Sequence, residues 1–307
     1  MTGIRIIFVP GLKPKPSPDA HRRDLLRVLL AALDRHRPAA AKWLAARPEC
    51  FVLVAWTYLF YRVERDVTLD LPGIERLLRR EAPTPEERRE LDSVSHRLVR
   101  LVRRIGDTLP ALRSLLARPA LKLTMLDANR YLTNRDGVAV AVRALLRNAL
   151  EAAWAANDRV LLIGHSFGSV IAYDTLWELS RESEAVGRVD LFVTLGSPLA
   201  AQFIRHALRG AGAVGAERYP SNIGRWANFT AKADVTALYQ RLSPFFRDML
   251  AFGLVESIDD YVDLDNYFRG DIGLNPHESY GYLMQRTFAE LVGEWLEERA
   301  GAAARDQ

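Results

Sequence analysis

The chain has 307 residues, of which 49% are hydrophobic and 26% charged, so it is long and apolar enough to build a sizeable core and is not disordered by composition. Its 42 Lys and Arg barely exceed its 38 Asp and Glu, and they are scattered along the chain, which argues against a nucleic-acid partner. A single cysteine, Cys50, excludes an intramolecular disulfide and a thiolate metal cluster, and its place beside an apolar run predicts a buried thiol.

The amino-terminal part predicts the start of a parallel sheet. Residues 4–9 (IRIIFV) and 51–56 (FVLVAW) are short apolar runs typical of strands, and the sequence DLLRVLLAALDRH between them has the apolar spacing of a helix. Strand, helix and strand in succession favour a parallel pair. The first run is too short for a signal-peptide core, and no run approaches about 18 uncharged apolar residues, so we expect a cytoplasmic protein.

Residues 62–130 do not fit a minimal β/α unit and predict a helical insertion. The sequence TPEE, from Thr84 to Glu87, has the pattern of a capping box with proline in the first turn. Further on, apolar residues recur at steps of three and four between arginines, which favours a helix packed on the core, with a membrane-surface helix as the less favoured alternative. These apolar residues are Leu98, Leu101, Val102, Ile105, Leu109, Leu112 and Leu116.

The sheet is predicted to resume after this insertion. Residues 159–164 (RVLLIG), 189–195 (VDLFVTL) and 225–231 (RWANFTA) are apolar runs that do not alternate with polar residues, which indicates strands covered on both faces. We therefore predict an α/β core with a mostly parallel central sheet flanked by helices. The predicted core comprises residues 1–61 and 131–307, and the helical lid comprises residues 62–130, to which part of the aromatic-rich stretch 236–270 could belong.

The sequence GHSFG places Ser166 between a predicted strand and a predicted helix, with Gly164 and Gly168 two positions away on either side. This is the pattern of a nucleophile elbow, in which a sharp turn forces the serine into a strained backbone conformation and side chains at the glycine positions would collide with the backbone. The hydroxyl then lies at a helix N-terminus, where amides favour an anion. The alternative is a glycine-rich turn of an ordinary doubly wound fold.

At these residues the chain resembles the α/β-hydrolase superfamily, in particular its lipase-like and esterase-like members. The resemblance extends over nearly the whole chain, through FVPG at the end of the first strand, GHSFGS at the elbow, VTLGSPL at the next strand, an acid loop and a late histidine. It implies the α/β-hydrolase fold with a helical lid. The chain departs from the pattern at Pro10 and Gly11, where many members carry His-Gly.

The order serine, acid, histidine expected for this architecture tests each histidine by its position. His165 directly precedes Ser166, so its side chain points away from the hydroxyl and is expected to have a supporting or packing role. His206 leaves little sequence in which to place an acid. His277, in the loop NPHES before the last helix, is therefore the predicted base. The remaining histidines, which come too early in the chain, are His21, His36 and His96.

The acid is expected just beyond a strand end between Ser166 and His277. Asp234 fits best, because it follows the strand RWANFTA in a turn, and the segment also resembles the W-x-N…D-x-V loop of lipase-like hydrolases. A later acidic run remains an alternative, as a solvated edge with one carboxylate turned inward. Its members are Asp259, Asp260, Asp263 and Asp265.

These residues predict a serine hydrolase that cleaves carboxylic esters of hydrophobic acyl groups through an acyl-enzyme, with the backbone amides of Leu12 and Phe167 binding the oxyanion. The expected partner is a small-molecule ester, and no cofactor or metal is expected. A thioesterase or acyltransferase is the nearest alternative, because one triad serves any acyl carbonyl. An α/β-hydrolase-fold binding protein without catalysis is the alternative from another class.

The aromatic sequence WTYLFY, residues 56–61, follows the second predicted strand at the edge where such sheets bind ligands. Trp56 and Tyr58 are therefore candidates for lining an acyl pocket. Packing against the inserted helices explains the same aromatic residues equally well.

Overall fold

The apolar runs of the sequence form the strands of a six-stranded sheet in the computed structural model, which describes residues 3–93, 119–182 and 187–305. The strand order is β2-β1-β3-β4-β5-β6, and every neighbouring pair is parallel. A separate pair, β7 and β8, is antiparallel. The strands are β1 (Ile4–Val9), β2 (Phe51–Leu53), β3 (Arg159–His165), β4 (Val189–Leu195), β5 (Ile223–Ala231), β6 (Ser257–Leu264), β7 (Arg269–Gly270) and β8 (Gly273–Leu274).

Helices connect successive strands of the sheet and cover both of its faces, so the described chain has an α/β fold. The helices of the described residues are α1 (Pro18–His36), α2 (Pro38–Ala45), α3 (Trp56–Tyr61), α4 (Leu71–Leu78), α5 (Pro85–Leu91), α6 (Pro119–Leu132), α7 (Val138–Ala155), α8 (Gly168–Glu182), α9 (Gln202–Arg205), α10 (Ser243–Ala251), α11 (Ser279–Leu283) and α12 (Arg286–Arg305).

The central strands are buried on both faces because successive side chains point to opposite sides of the sheet. In β1, Ile7 and Val9 belong to a core layer with α7 and α8, whereas Ile6 and Phe8 belong to a second layer with α1, α2 and α12. This arrangement confirms the sequence interpretation that both faces are covered. The thiol of Cys50 is buried, also as predicted.

Two strands differ from the sequence prediction. Strand β2 was predicted over 51–56 but ends at Leu53, because the Trp56 amide bonds to the Val54 carbonyl in a turn that begins α3. Strand β6 was not predicted at all, since its acidic sequence does not read as a buried strand. It pairs with β5 at the border of the sheet, where no strand of the described residues lies on its other side and charged side chains reach solvent. It lies within the stretch 236–270, of which this part belongs to the sheet.

The described part of the predicted insertion is helical, and it contains no strand. Helix α5 has the predicted capping box, in which the Glu87 amide donates to Thr84 Oγ1 at 3.2 Å and the Thr84 amide donates to Glu87 Oε2 at 2.8 Å. Ile74 and Leu91 pack in the same core layer as α1. The predicted helix from Leu98 to Leu116 lies outside the described residues. Among the described helices, none has the length and apolar character needed to cross a membrane.

Candidate active site

The turn between β3 and α8 has the strained geometry predicted for Ser166. Its φ is 53°, in the left-handed region that non-glycine residues seldom adopt. A Cβ on Gly164 would lie 2.6 Å from Ser169 Cα, and a Cβ on Gly168 would lie 2.1 Å from the Val9 carbonyl oxygen. Both glycines are therefore required by close backbone approach, for the reason predicted from the sequence.

Ser166, His277 and Asp234 form a continuous hydrogen-bonded series. Ser166 Oγ lies 2.8 Å from His277 Nε2, and His277 Nδ1 lies 2.7 Å from Asp234 Oδ2. The three residues come from the turn after β3, the loop before α11 and the loop after β5, and all lie at the carboxyl edge of the sheet. The Asp234 side chain is fully buried, whereas the imidazole is 25% exposed, so solvent reaches the histidine but not the carboxylate.

The protein holds the Asp234 carboxylate from both oxygens. Oδ1 accepts from the amides of Thr236 at 2.8 Å and Ala237 at 3.2 Å, while Oδ2 accepts from the Tyr282 hydroxyl at 2.7 Å in addition to facing His277. Burial alone would raise the pKa of Asp234, but His277 and the hydrogen bonds from His277, Tyr282 and Thr236 outweigh it and lower the pKa below its ordinary value. The group therefore stays ionised at neutral pH.

The acidic run that the sequence left as an alternative is directed elsewhere. Asp260 Oδ1 accepts from Asn228 Nδ2 and from the Leu242 amide, both at 2.8 Å, and its Oδ2 accepts from the Ser243 amide at 3.1 Å. Asp259 accepts from Ser257, Asp263 accepts from Gln240, and Asp265 pairs with Lys232. Asp234 is thus the carboxylate that the fold brings to the histidine.

His165 supports the histidine loop from behind. Its Nε2 donates to the His277 carbonyl oxygen at 2.7 Å, and the two rings lie 5.0 Å apart between centroids. Burial and the adjacent His277 hold the pKa of His165 well below its usual value, so the ring is neutral. His165 thus lies against the backbone of the His277 loop, and its supporting role stays a prediction.

The loop predicted to carry the second oxyanion donor passes directly beside Ser166. A Cβ on Gly11 would lie 2.7 Å from Ser166 Cβ and 3.2 Å from its Oγ, so only a glycine allows this approach. Leu12 follows in the same loop and is buried. Phe167 is also buried, at the N-terminal end of α8. The two predicted amide donors thus directly follow residues at the site: Leu12 follows Gly11, and Phe167 follows Ser166 itself.

Two residues of the site were missed by sequence reasoning. Gly196, at the end of β4, has a φ of +56°, and a Cβ there would lie 2.6 Å from Asp234 Oδ2 and 3.0 Å from His277 Nδ1. Its signal was a glycine directly after a strand, in VTLGSP. Tyr282 also accepts from the Ala231 amide at 3.0 Å, and no pattern separates it from an ordinary core aromatic residue.

The two candidate pocket residues of the WTYLFY sequence have different environments. Trp56 is fully buried, and its Nε1 donates to the Pro10 carbonyl oxygen at 2.8 Å. Tyr58 lies two residues later on α3 and is 53% exposed. The fold therefore uses Trp56 in contact with the loop beside Ser166 and leaves Tyr58 at the surface.

Within residues 3–93, 119–182 and 187–305, no three His, Cys, Asp or Glu side chains converge where they could hold a metal ion. No protein-family model, curated protein or solved structure matches the chain. The site itself consists of a hydroxyl, an imidazole and an ionised carboxylate in hydrogen-bonded series at the carboxyl edge of a parallel sheet.

Proposed function

We propose that this protein is a serine hydrolase of the α/β-hydrolase type that cleaves carboxylic esters of hydrophobic acyl groups. The observation that carries the proposal is the series Ser166 Oγ, His277 Nε2, His277 Nδ1 and Asp234 Oδ2, with successive polar atoms 2.8 Å and 2.7 Å apart. Hydrogen-bond reach from nucleophile to base, and from base to an orienting carboxylate, is the geometric requirement for nucleophilic acyl transfer. The strained elbow at Ser166 is a second, independent support.

In the first half of the reaction, His277 Nε2 takes the Ser166 proton as Oγ attacks the acyl carbonyl carbon. The tetrahedral intermediate then collapses, and His277 gives the proton to the leaving alcohol, which leaves an acyl ester on Ser166. In the second half, His277 takes a proton from water, the hydroxide attacks the acyl carbonyl, and the protonated histidine returns the proton to Ser166. Asp234 holds the imidazole tautomer and stabilises its charged form in both halves.

The negative charge that develops on the carbonyl oxygen is bound by the backbone amides of Phe167 and Leu12. Phe167 lies at the N-terminal end of α8, where the helix dipole also favours an anion. Each amide is expected to stabilise the transition state by about 3 kcal/mol. Apolar side chains at the site favour an apolar acyl group: Leu12 and Phe167 are themselves hydrophobic, and the ring of Tyr131 lies 5.2 Å from that of Phe167.

The proposal is tested by labelling with a fluorophosphonate probe and by hydrolysis of p-nitrophenyl esters over an acyl-chain-length series. We expect wild type to be labelled and active, Ser166→Ala to lose both properties, and His277→Ala to lose nearly all activity. Ser257→Ala, on the border strand, is the matched control and should retain labelling. A folded wild type that is neither labelled nor active contradicts the proposal and favours a binding protein.

Acyl-CoA thioesters of matched chain length separate the esterase from its nearest alternative. A preference for esters is expected, measured as the ratio of kcat/KM values for the two substrate classes. A preference for thioesters by orders of magnitude would keep the same three residues in the same roles and replace the substrate class.

A further inference from the structure

We infer that helix α3 positions the loop of residues 10–13, which carries the predicted oxyanion donor Leu12. Tyr61 and Trp56 are the positioning residues that fix the Leu12 amide against Ser166. This inference rests on the proposed function for its catalytic meaning. The structural part, a loop held by two side chains of one short helix, stands on contacts that do not depend on it.

The two side chains hold the loop on either side of the donor. Trp56, the first residue of α3, donates from Nε1 to the Pro10 carbonyl oxygen at 2.8 Å. Tyr61, the last residue of α3, accepts from the Lys13 amide at 2.9 Å. Gly11 and Leu12 lie between these two bonds.

The loop needs such support because its backbone is strained. Lys13 has a φ of 80°, a left-handed conformation that is sterically unfavourable for a residue with a side chain. The side chain of Lys13 is exposed, so packing of that side chain does not enforce the conformation. The amide of Lys13 is instead held by its bond to the Tyr61 hydroxyl. Since the loop leaves no room for a Cβ between Gly11 and Ser166, a shift of this loop moves the Leu12 amide relative to the hydroxyl.

The Tyr61 hydroxyl is itself held in place. It donates to Asp127 Oδ2 on α6 at 2.9 Å while accepting from Lys13, so both of its hydrogen-bonding roles are occupied. Burial raises the pKa of Tyr61 well above its usual value, so the hydroxyl keeps the proton that it donates. Helix α6 also holds the last turn of α3, because Arg130 Nη1 donates to the Phe60 carbonyl oxygen at 2.9 Å.

The same helix α6 reaches the segment of the other predicted donor. The Tyr131 ring packs edge-on against the Phe167 ring, and the Tyr131 hydroxyl donates to Asp174 Oδ2 on α8 at 3.2 Å. One helix therefore supports both sides of the oxyanion position, through Tyr61 on one side and Phe167 on the other. The WTYLFY sequence thus contacts the loop through its first and last residues, Trp56 and Tyr61.

The test is Tyr61→Phe, which removes the hydroxyl and keeps the ring. We expect kcat for a p-nitrophenyl ester to fall about ten- to hundredfold with KM within about threefold, because the oxyanion is present only in the transition state. Affinity for a trifluoromethyl ketone of the same acyl chain should fall by a similar factor. Tyr261→Phe, on β6, is the matched control and should leave both quantities unchanged.

The loop is followed directly by hydrogen–deuterium exchange of the peptide that contains residues 10–17. Tyr61→Phe should exchange this peptide faster than wild type, and Tyr261→Phe should not. Asp127→Asn keeps an oxygen acceptor for the hydroxyl and should restore most of the activity that Asp127→Ala loses, which gives a second route if Tyr61→Phe proves unstable.

Unchanged exchange in Tyr61→Phe, or a wild-type kcat in that variant, overturns the inference. A KM that rises while kcat stays constant also overturns it, since that result assigns Tyr61 to substrate binding. If wild type hydrolyses no ester above the Ser166→Ala background, the proposed function fails, whereas the exchange experiment still decides whether Tyr61 holds the loop.

Discussion

Asp234 and Asp260 belong to neighbouring parts of the molecule, and each accepts hydrogen bonds from two backbone amides of a segment that follows β5. Asp234 follows β5 and receives the amides of Thr236 and Ala237, whereas Asp260 lies on β6 and receives the amides of Leu242 and Ser243. The two carboxylates differ in what their Oδ2 atoms face. Both oxygens of Asp260 are used by amides, but Asp234 presents Oδ2 to His277.

This comparison shows that a place between Ser166 and His277 in the chain and hydrogen bonds from backbone amides do not by themselves direct a carboxylate to the histidine. One oxygen must also face the base, as Asp234 Oδ2 does while it accepts from the Tyr282 hydroxyl. Asp260 accepts hydrogen bonds from Asn228 on β5 and from the Leu242 and Ser243 amides at the start of α10, so it connects β6 to both elements. Asp234 combines an anchored oxygen with an oxygen directed at the imidazole.

The largest expected effect is that of Asp234→Asn. The amide cannot hold the imidazole tautomer that accepts the Ser166 proton, so kcat should fall about 10³- to 10⁴-fold. Thermal melting should show a folded protein, because Oδ1 remains as an acceptor for the Thr236 and Ala237 amides. If ester hydrolysis in this variant stays within tenfold of wild type, the distinction between the two carboxylates is wrong.

The next effect is that of Gly196→Ala, which changes neither carboxylate. The new methyl group would overlap Asp234 Oδ2 and crowd His277 Nδ1, so we expect kcat to fall about 100-fold by displacement of the pair. Gly253→Ala is the matched control: its φ is +67°, and its Cβ would meet nothing within 4 Å. Both variants place an alanine in the left-handed region, and only Gly196→Ala should lose kcat. Equal kcat values would show that contact with the pair is unimportant.

Asp260→Ala tests the structural carboxylate. Three donors lose their acceptor, so the free energy of unfolding should fall by about 1–3 kcal/mol, measured by urea denaturation. The kcat of the folded fraction should stay within twofold of wild type. Asp259→Ala, at the exposed neighbouring position, should change the stability little. A large loss of kcat in Asp260→Ala without unfolding would move the acid function to β6.

The smallest effect concerns pH and the Tyr282 hydroxyl. The pKa of Asp234 is lower in the folded protein than the value of 3.8 expected in the unfolded chain. Asp234 therefore stabilises the folded state at pH values above 3.8, and this contribution is lost as the pH falls through the lower folded pKa. Tyr282→Phe removes one bond that depresses the pKa of Asp234, and it should reduce the free energy of unfolding at pH 6 by about 1 kcal/mol.

At pH 3 the difference between wild type and Tyr282→Phe should be smaller, because the carboxylate is then largely protonated in the unfolded chain and contributes less. It should not vanish, since the Ala231 amide also loses its acceptor. Urea denaturation at the two pH values measures both differences. A difference that grows toward pH 3 would contradict the sign of the shift.

The sequence predicted the described fold well where its signals are local. Five of the six strands of the sheet followed from apolar runs, and the capping box of α5 followed from four residues. The end of β2 was misplaced because apolar residues continue into α3 and periodicity cannot separate a buried strand from a buried helix turn. Strand β6 was missed because a border strand tolerates the aspartates that argue against a buried strand.

For the site, chain order and local pattern were sufficient to select Ser166 and His277 and to rank Asp234 first. The acidic alternative could not be set aside from sequence, since it also lies between the serine and the histidine. The description of that run as a solvated edge with one carboxylate turned inward fits β6 and Asp260, although the inward carboxylate serves structure.

The sequence by itself determined which hydroxyl is presented at a sharp turn, because Gly164, Ser166 and Gly168 are near neighbours and their backbone geometry depends on few other residues. Only the tertiary structure decided which aspartate faces His277, why Gly196 must be small, and how α3 holds the loop beside Ser166. Those outcomes depend on contacts between distant positions, such as the bond between Tyr282 and Asp234 across 48 residues. Local periodicity in the sequence does not predict such contacts, since they form only when the strands and helices pack together.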